Sequence, residues 1–304
     1  MPASCPTFRA PATEQILQFT GAPWLKIESD ERRSVLVDIK DVEAALDIFY
    51  KTEAWQPFAL MISRLSEAQG PTMLEAYYGY DEWIRPDDIE EAANGLIAQA
   101  LDRENTEFDT KVNYNCFVRL MSGCGRRKDL FKCILPNHVE HVAKQLPSLG
   151  DTGAELLADL ASQASKRKRL LAMIKPDQIR VAADRLFAMC QDAADSQKNA
   201  TGILGYAELL GAAVKKKDLL HAFDPGQIRE YVQMVVDRPG SSEIVWQLDK
   251  MKNNLYPALL DAASVKAISS KMDEMIKMNK IYLAKGDKRG RLGPINHIRL
   301  ALAP

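Results

Sequence analysis

Four times in this chain a proline is followed by apolar residues at +3, +6, +7 and +10. Pro86 leads to Ile89, Ala92, Ala93 and Leu96; Pro136 to Val139, Val142, Ala143 and Leu146. Pro176 leads to Ile179, Ala182, Ala183 and Leu186, and Pro225 to Ile228, Tyr231, Val232 and Val235. Counted from the first apolar residue, the pattern is i, i+3, i+4, i+7, one face of an α-helix. Proline suits the first turn because its missing N–H would have no partner there and its φ is already helical. Two residues before each proline stands Ile84, Ile134, Ile174 or Phe223, which predicts a turn tucked beneath the helix it introduces.

Two further copies lack the proline: Val42, Ala45, Leu46 and Phe49, and Val265, Ile268, Ser269 and Met272. With Ile39 and Ala262 as their anchors, successive spacings are 47, 50, 40, 49 and 37 residues. A second amphipathic segment precedes the anchors, as in Leu156, Leu157, Leu160 and Ala164, or Ile203, Leu204, Ala207, Leu210 and Val214. The repeating unit is therefore a helix, a short turn and a helix. Strand signals are scarce: SVLVDIKDV from Ser34 has no Asn-Gly turn beside it. The pattern predicts an all-α fold in which neighbouring hairpins bury what one hairpin leaves exposed.

In period and hairpin layout the chain resembles HEAT-like and octotricopeptide-like helical repeats over roughly residues 35 to 285. The octotricopeptide consensus is not reproduced, Trp246 and NATGILGYAEL being its closest echo, and the pentatricopeptide-like wording NYNCFVRLMSGCGRRKDLF from Asn113 occurs once. The resemblance implies a right-handed or left-handed solenoid of about six diverged hairpins that presents binding surfaces rather than clefts.

Charge divides the chain. Residues 1–110 hold 9 Lys and Arg against 21 Asp and Glu, and residues 111–304 hold 31 against 20, although the whole carries a net charge of −1. The expected organisation is an N-terminal extension over 1–34, acidic hairpins over 35–110, basic hairpins over 111–284 and a basic, glycine-containing tail over 285–304. Such asymmetry points to an anionic partner for the basic part or a basic neighbour for the acidic part. Opposite ends that merely keep the chain soluble are the plainer reading.

The basic residues gather ten to eight positions before three of the prolines: Arg126, Arg127 and Lys128; Lys166, Arg167 and Lys168, extended by Arg169; and Lys215, Lys216 and Lys217. Stacked in register, they would form a ladder able to follow a phosphate backbone, and RNA read as an exposed strand is the natural target. The competing explanation is that cations close helix C-termini, where carbonyls lack partners, although one lysine per helix would suffice for that. Lys288, Arg289 and Arg291 add a cationic loop beyond the last hairpin.

Other chemistry finds less support. No stretch approaches the roughly 20 apolar residues of a membrane span. Cys5, Cys116, Cys124, Cys133 and Cys190 are an odd, scattered set, which points to an intracellular, reducing compartment, cytoplasm or organelle matrix. Cys124, Cys133, His138 and His141 lack zinc-module spacing, and His138 fills the slot of Gln178 and Gln227 in sister copies, so it is expected to be structural. The aromatic group Tyr77, Tyr78, Tyr80 and Trp83 lies in acidic surroundings that favour packing or a protein contact over base stacking. Phosphate-loop, zincin, nucleophile-elbow and dinucleotide motifs are absent. The expected function is a non-catalytic helical-repeat protein, without cofactor or metal, that contacts RNA or a ribonucleoprotein through its basic ladder and a protein partner through its acidic hairpins. The alternative is a scaffold subunit of a large multiprotein complex, organellar complexes included, without nucleic acid contact; a bacterial effector scaffold is a third.

Overall fold

All sixteen apolar positions that follow the four prolines are buried, none more than 2% exposed. The structure, a computed structural model, describes residues 54–67, 84–125 and 127–284. Every regular element among the described residues is helical. The early copy at Val42 to Phe49, the SVLVDIKDV segment, the Tyr77 to Trp83 aromatics and the tail over 285–304 lie outside them.

The elements are α1 (Trp55–Glu67), α2 (Pro86–Leu101), α3 (Glu107–Cys124), α4 (Lys128–Phe131) and α5 (Pro136–Gln145), then a 3-10 turn at Leu146–Leu149. There follow α6 (Gly150–Ala164), α7 (Lys168–Leu171), α8 (Pro176–Cys190), α9 (Ser196–Ala213) and α10 (Lys217–Leu220). The last are α11 (Pro225–Asp237), α12 (Ser242–Leu255) and α13 (Ala262–Ala284). All four anchor prolines open a helix, and α13 opens at Ala262, the anchor inferred for the proline-free copy. The predicted short turn contains a one-turn helix in three copies: α4, α7 and α10. Each carries a buried leucine, Leu130, Leu170 or Leu219, and the residue two before each proline is buried as well, so the connector is pinned at two points.

Local capping fixes the starts. Thr106 Oγ1 accepts from the Asp109 N–H while Asp109 returns the bond to the Thr106 N–H, a reciprocal box at the head of α3. Asp195 accepts from the Gln197 and Lys198 N–H groups, and Asp224 from that of Gln227. Asp261 does the same for Ser264, so the proline-free copy keeps the cap of its predecessor.

The chain packs as two compact units. One holds the described residues up to Gln145 together with Lys166–Met173; the other holds Leu146–Ser165 and the described residues from Ile174 onward. Neither follows the charge boundary at residue 110, which falls inside α3. In the first unit α1 packs on α3 and α2 on α5, first helix on first helix and second on second. The backbone of Ile62 in α1 comes so near Gly123 of α3 that a Cβ there would lie 2.8 Å from the Ile62 carbonyl oxygen. In the second unit α6, α9 and α12 form one run of first helices and α8, α11 and α13 one run of second helices. Its core includes Tyr206, flanked by Tyr231 at 4.5 Å, Phe223 at 5.7 Å and Phe187 at 6.0 Å between ring centroids. Tyr231 spends its hydroxyl on the Ile203 carbonyl at 2.8 Å. Leu204, counted with the buried face of its helix by the sequence pattern, is 52% exposed; its neighbours Ile203 and Ala207 take the inward positions.

Candidate nucleic-acid interface

The basic triplets sit where each first helix ends and the one-turn helix begins. Arg127, Arg167 and Lys216 are the N-caps of α4, α7 and α10. In every described copy this middle cation is half-buried while the next residue, Lys128, Lys168 or Lys217, is exposed.

The half-buried cations bond within the chain, mostly one copy back, and so does the exposed Arg169. Arg167 donates through Nη2 to the Lys128 carbonyl at 2.8 Å and lies 4.9 Å above the centre of the Phe131 ring. Arg169 donates to the Lys132 carbonyl at 3.2 Å. In the second unit Lys216 reaches the Ile174 carbonyl at 3.3 Å. Arg127 instead pairs with Asp129, Nη2 to Oδ2 at 2.6 Å, with only 15% of its side chain exposed. That guanidinium beside Asp129 holds the carboxyl below its ordinary pKa.

The first cation of the second and third clusters also turns back. Gly125 and Ser165 are the C-caps of α3 and α6 at equivalent positions. The Lys166 ammonium occupies the space a side chain at Gly125 would take, and Lys215 donates to Ser165 Oγ at 2.9 Å. A cation thus meets the negative end of a helix, as expected of cations near C-termini, but the helix belongs to the preceding copy. Sequence spacing pointed to each cluster's own helix because the chain immediately before it is the only neighbour a sequence displays.

The remaining candidates divide plainly. Lys128, Lys168 and Lys217 are exposed, and their side chains make no hydrogen bond or ion pair with another described residue. Arg126, Lys288, Arg289 and Arg291 lie outside the described residues. Lys132, which the triplets did not include, is exposed one turn beyond Lys128 and its carbonyl receives Arg169. No sequence motif marks it.

His138 is buried and fully engaged. Its Nδ1 accepts from the Leu135 N–H at 3.2 Å and its Nε2 lies 3.0 Å from Asn94 Oδ1. With Nδ1 accepting, the proton sits on Nε2. Burial lowers its pKa, and so favours this neutral form. Gln178 gives the same cap bond to the Lys175 N–H at 2.9 Å, as does Asp88 to the Arg85 N–H at 2.8 Å. Gln227 reaches back to Asp184 at 2.9 Å as His138 does to Asn94, both acceptors lying eight residues after their own proline. Burial pushes the Cys116 thiol up to about 11 and the Cys190 thiol up to about 12. Cys124 is buried and higher still, so these three sulfurs are poor nucleophiles and metal ligands.

Among the described residues no helix is long and apolar enough to cross a membrane. Comparison with protein-family models, with curated proteins and with solved structures finds no match to this chain.

Proposed function

We propose that this chain is a non-catalytic helical-repeat protein that contacts RNA or a ribonucleoprotein through the outward lysines of its basic connectors. The carrying observation is Lys128, Lys168 and Lys217: three cations at one repeat position, all exposed and none bonded within the described structure. The other described cations of the clusters interact within the chain, and these three do not. Cations recurring once per copy suit a polymer with regularly spaced phosphates. Within each unit first helices pack on first helices and second on second, which supports a HEAT-like stacking of hairpins. The acidic hairpins over 35–110 would take a protein partner by charge complementarity.

A second reading is favoured by the cations that bond within the chain. Since Arg167, Arg169, Lys215 and Lys216 all bond to other parts of the chain, much of the basic character serves the fold, as in a scaffold subunit of a multiprotein complex.

A fluorescent single-stranded RNA titrated at two salt concentrations separates the two. The first reading expects binding at low salt whose logarithmic salt slope flattens by about 2 when Lys128, Lys168 and Lys217 become Gln, three phosphate contacts being lost. Absence of binding at low salt would leave the scaffold.

A further inference from the structure

The exposed cations are densest in the first unit, where α4 and α7 come from successive copies. The bonds from Arg167 to the Lys128 carbonyl and from Arg169 to the Lys132 carbonyl lay the start of α7 across residues 128–132. Lys128, Lys132, Lys168 and Arg169, all exposed, are thereby gathered on adjoining turns. Arg169 uses one guanidinium N–H on that carbonyl and keeps the rest of its fork of donors. The acids around them are few. Asp129 is held by Arg127. Asp87 and Glu90 of α2 act on the Cys133 thiol at the margin, together with Asp129. The guanidiniums of Arg167 and Arg169 are close enough that, after burial, Arg169 is the main influence holding the Arg167 pKa below its ordinary value. The second unit offers less: Lys217 is followed by Asp218 where Lys168 is followed by Arg169.

What the patch lacks is equally informative. Phe131 is the one aromatic residue within 127–133 and 166–173, and it is buried beneath Arg167, 3% exposed. Bases would find no exposed ring to stack on within these segments, and the three lysine ammoniums, point charges without a planar fork, match phosphate oxygens.

We propose that Lys128, Lys132, Lys168 and Arg169 form a phosphodiester-binding patch that grips an RNA strand by its backbone, without base preference, and that the chain's RNA affinity is concentrated there. This rests on the RNA reading above and narrows it to one place and one mode.

The test uses the full chain and fluorescein-labelled oligouridylate and oligocytidylate of equal length. Because Arg169 also bonds a carbonyl, the first variant leaves it in place: Lys128→Gln, Lys132→Gln and Lys168→Gln together, with unchanged far-UV circular dichroism as the folding control. Affinity at low salt should fall about tenfold or more and the salt slope should flatten by about 2, whereas Lys217→Gln alone should change both little. Arg169→Lys in the wild-type background should weaken binding while keeping the salt slope, since charge is retained and the fork is lost. Wild-type binding that survives the triple change would overturn the patch and spare the RNA reading. A strong preference between the two homopolymers would overturn the backbone mode, and displacement of RNA by polyglutamate at equal charge concentration would make the partner an acidic protein. Wild-type protein that binds neither RNA would bring down both proposals.

Discussion

Arg167 and Lys128 are joined across 39 residues by a single hydrogen bond, guanidinium Nη2 to backbone carbonyl at 2.8 Å. The cation a sequence reader assigns to a ligand is here spent on the backbone of the previous copy, and the lysine that supplies the carbonyl is the one whose side chain faces water.

Arg167→Ala should destabilise the first unit by about 2 to 4 kcal/mol, the sum expected for a charged hydrogen bond and a partly screened ring contact. Arg167→Lys should recover only part of this, because an ammonium cannot lie flat on Phe131 while reaching the carbonyl. Urea denaturation followed by circular dichroism measures both. Equal stability of wild type and Arg167→Ala would refute the structural role given to the inward cations.

The last apolar position of each copy makes a test of equivalence. Leu96, Leu146 and Leu186 are each 0% exposed, so substitution by Ala should cost about 2 to 5 kcal/mol at each. Leu204→Ala, at a mostly exposed site in a neighbouring first helix, should cost well under 1 kcal/mol. Comparable losses at Leu204 and Leu186 would show that the inward face has been wrongly placed.

Glu208 on α9 provides a pH dependence at the basic end of the range. Burial, and then the hydrogen bond and charge of Asp159 on α6, push its carboxyl up to about 8 from an ordinary 4.5. Between those values the native state keeps a proton that the unfolded chain has released. Stability is therefore greatest at the low end of that window, falls as pH rises through it, and levels off above about 8. Glu208→Gln should remove this decline and leave the protein more stable than wild type at high pH, read as thermal midpoints across the window. An unaltered pH profile in the variant would be the contrary result.

His138 gives the opposite limb. Burial holds its pKa below 6.5, so the unfolded chain takes up a proton first as the solution is acidified. Stability from this residue is complete above about 6.5 and declines as pH falls through the lowered value; protonating Nδ1 also removes the acceptor for the Leu135 N–H. His138→Gln, the residue found at the same slot in two other copies, should retain the fold and flatten the acid limb. His138→Ala should cost about 1 to 3 kcal/mol at neutral pH by stranding that N–H.

The second helix of each copy was legible in the sequence because proline, a buried residue two before it and four apolar positions are all local signals. Every such position after the four prolines is buried, whereas in the proline-free copy Ile268 and Met272 are buried and Val265 and Ser269 only half-buried. The slot shared by His138 and Gln178 was legible for the same reason: a capping bond spans three residues, and its chemistry can be read from the residue types that fill it. The one-turn helices α4, α7 and α10 were read as turns, since four residues cannot show a helical period. The division of each basic cluster into inward and outward members was hidden altogether. It depends on carbonyls of the preceding copy, such as those of Lys128, Lys132 and Ile174, and a carbonyl leaves no mark in a sequence. Arg127 looked like a ladder rung for a similar reason, its partner Asp129 lying only two residues on but facing it only once α4 has turned.

The backward direction of the cation bonds bears on how such a chain could lengthen. Lys215 fastens to the C-cap of the first helix one copy earlier, Arg167 to the connector of the copy before it, and what receives them is backbone or a small hydroxyl rather than a matched acidic partner. A duplicated module would arrive with its own clasp, and for Arg167, Arg169 and Lys216 the eyelet is a backbone carbonyl, which any polypeptide supplies. Growth by tandem copying thus demands no paired change in the older modules, and each copy remains free to diverge on its outward side.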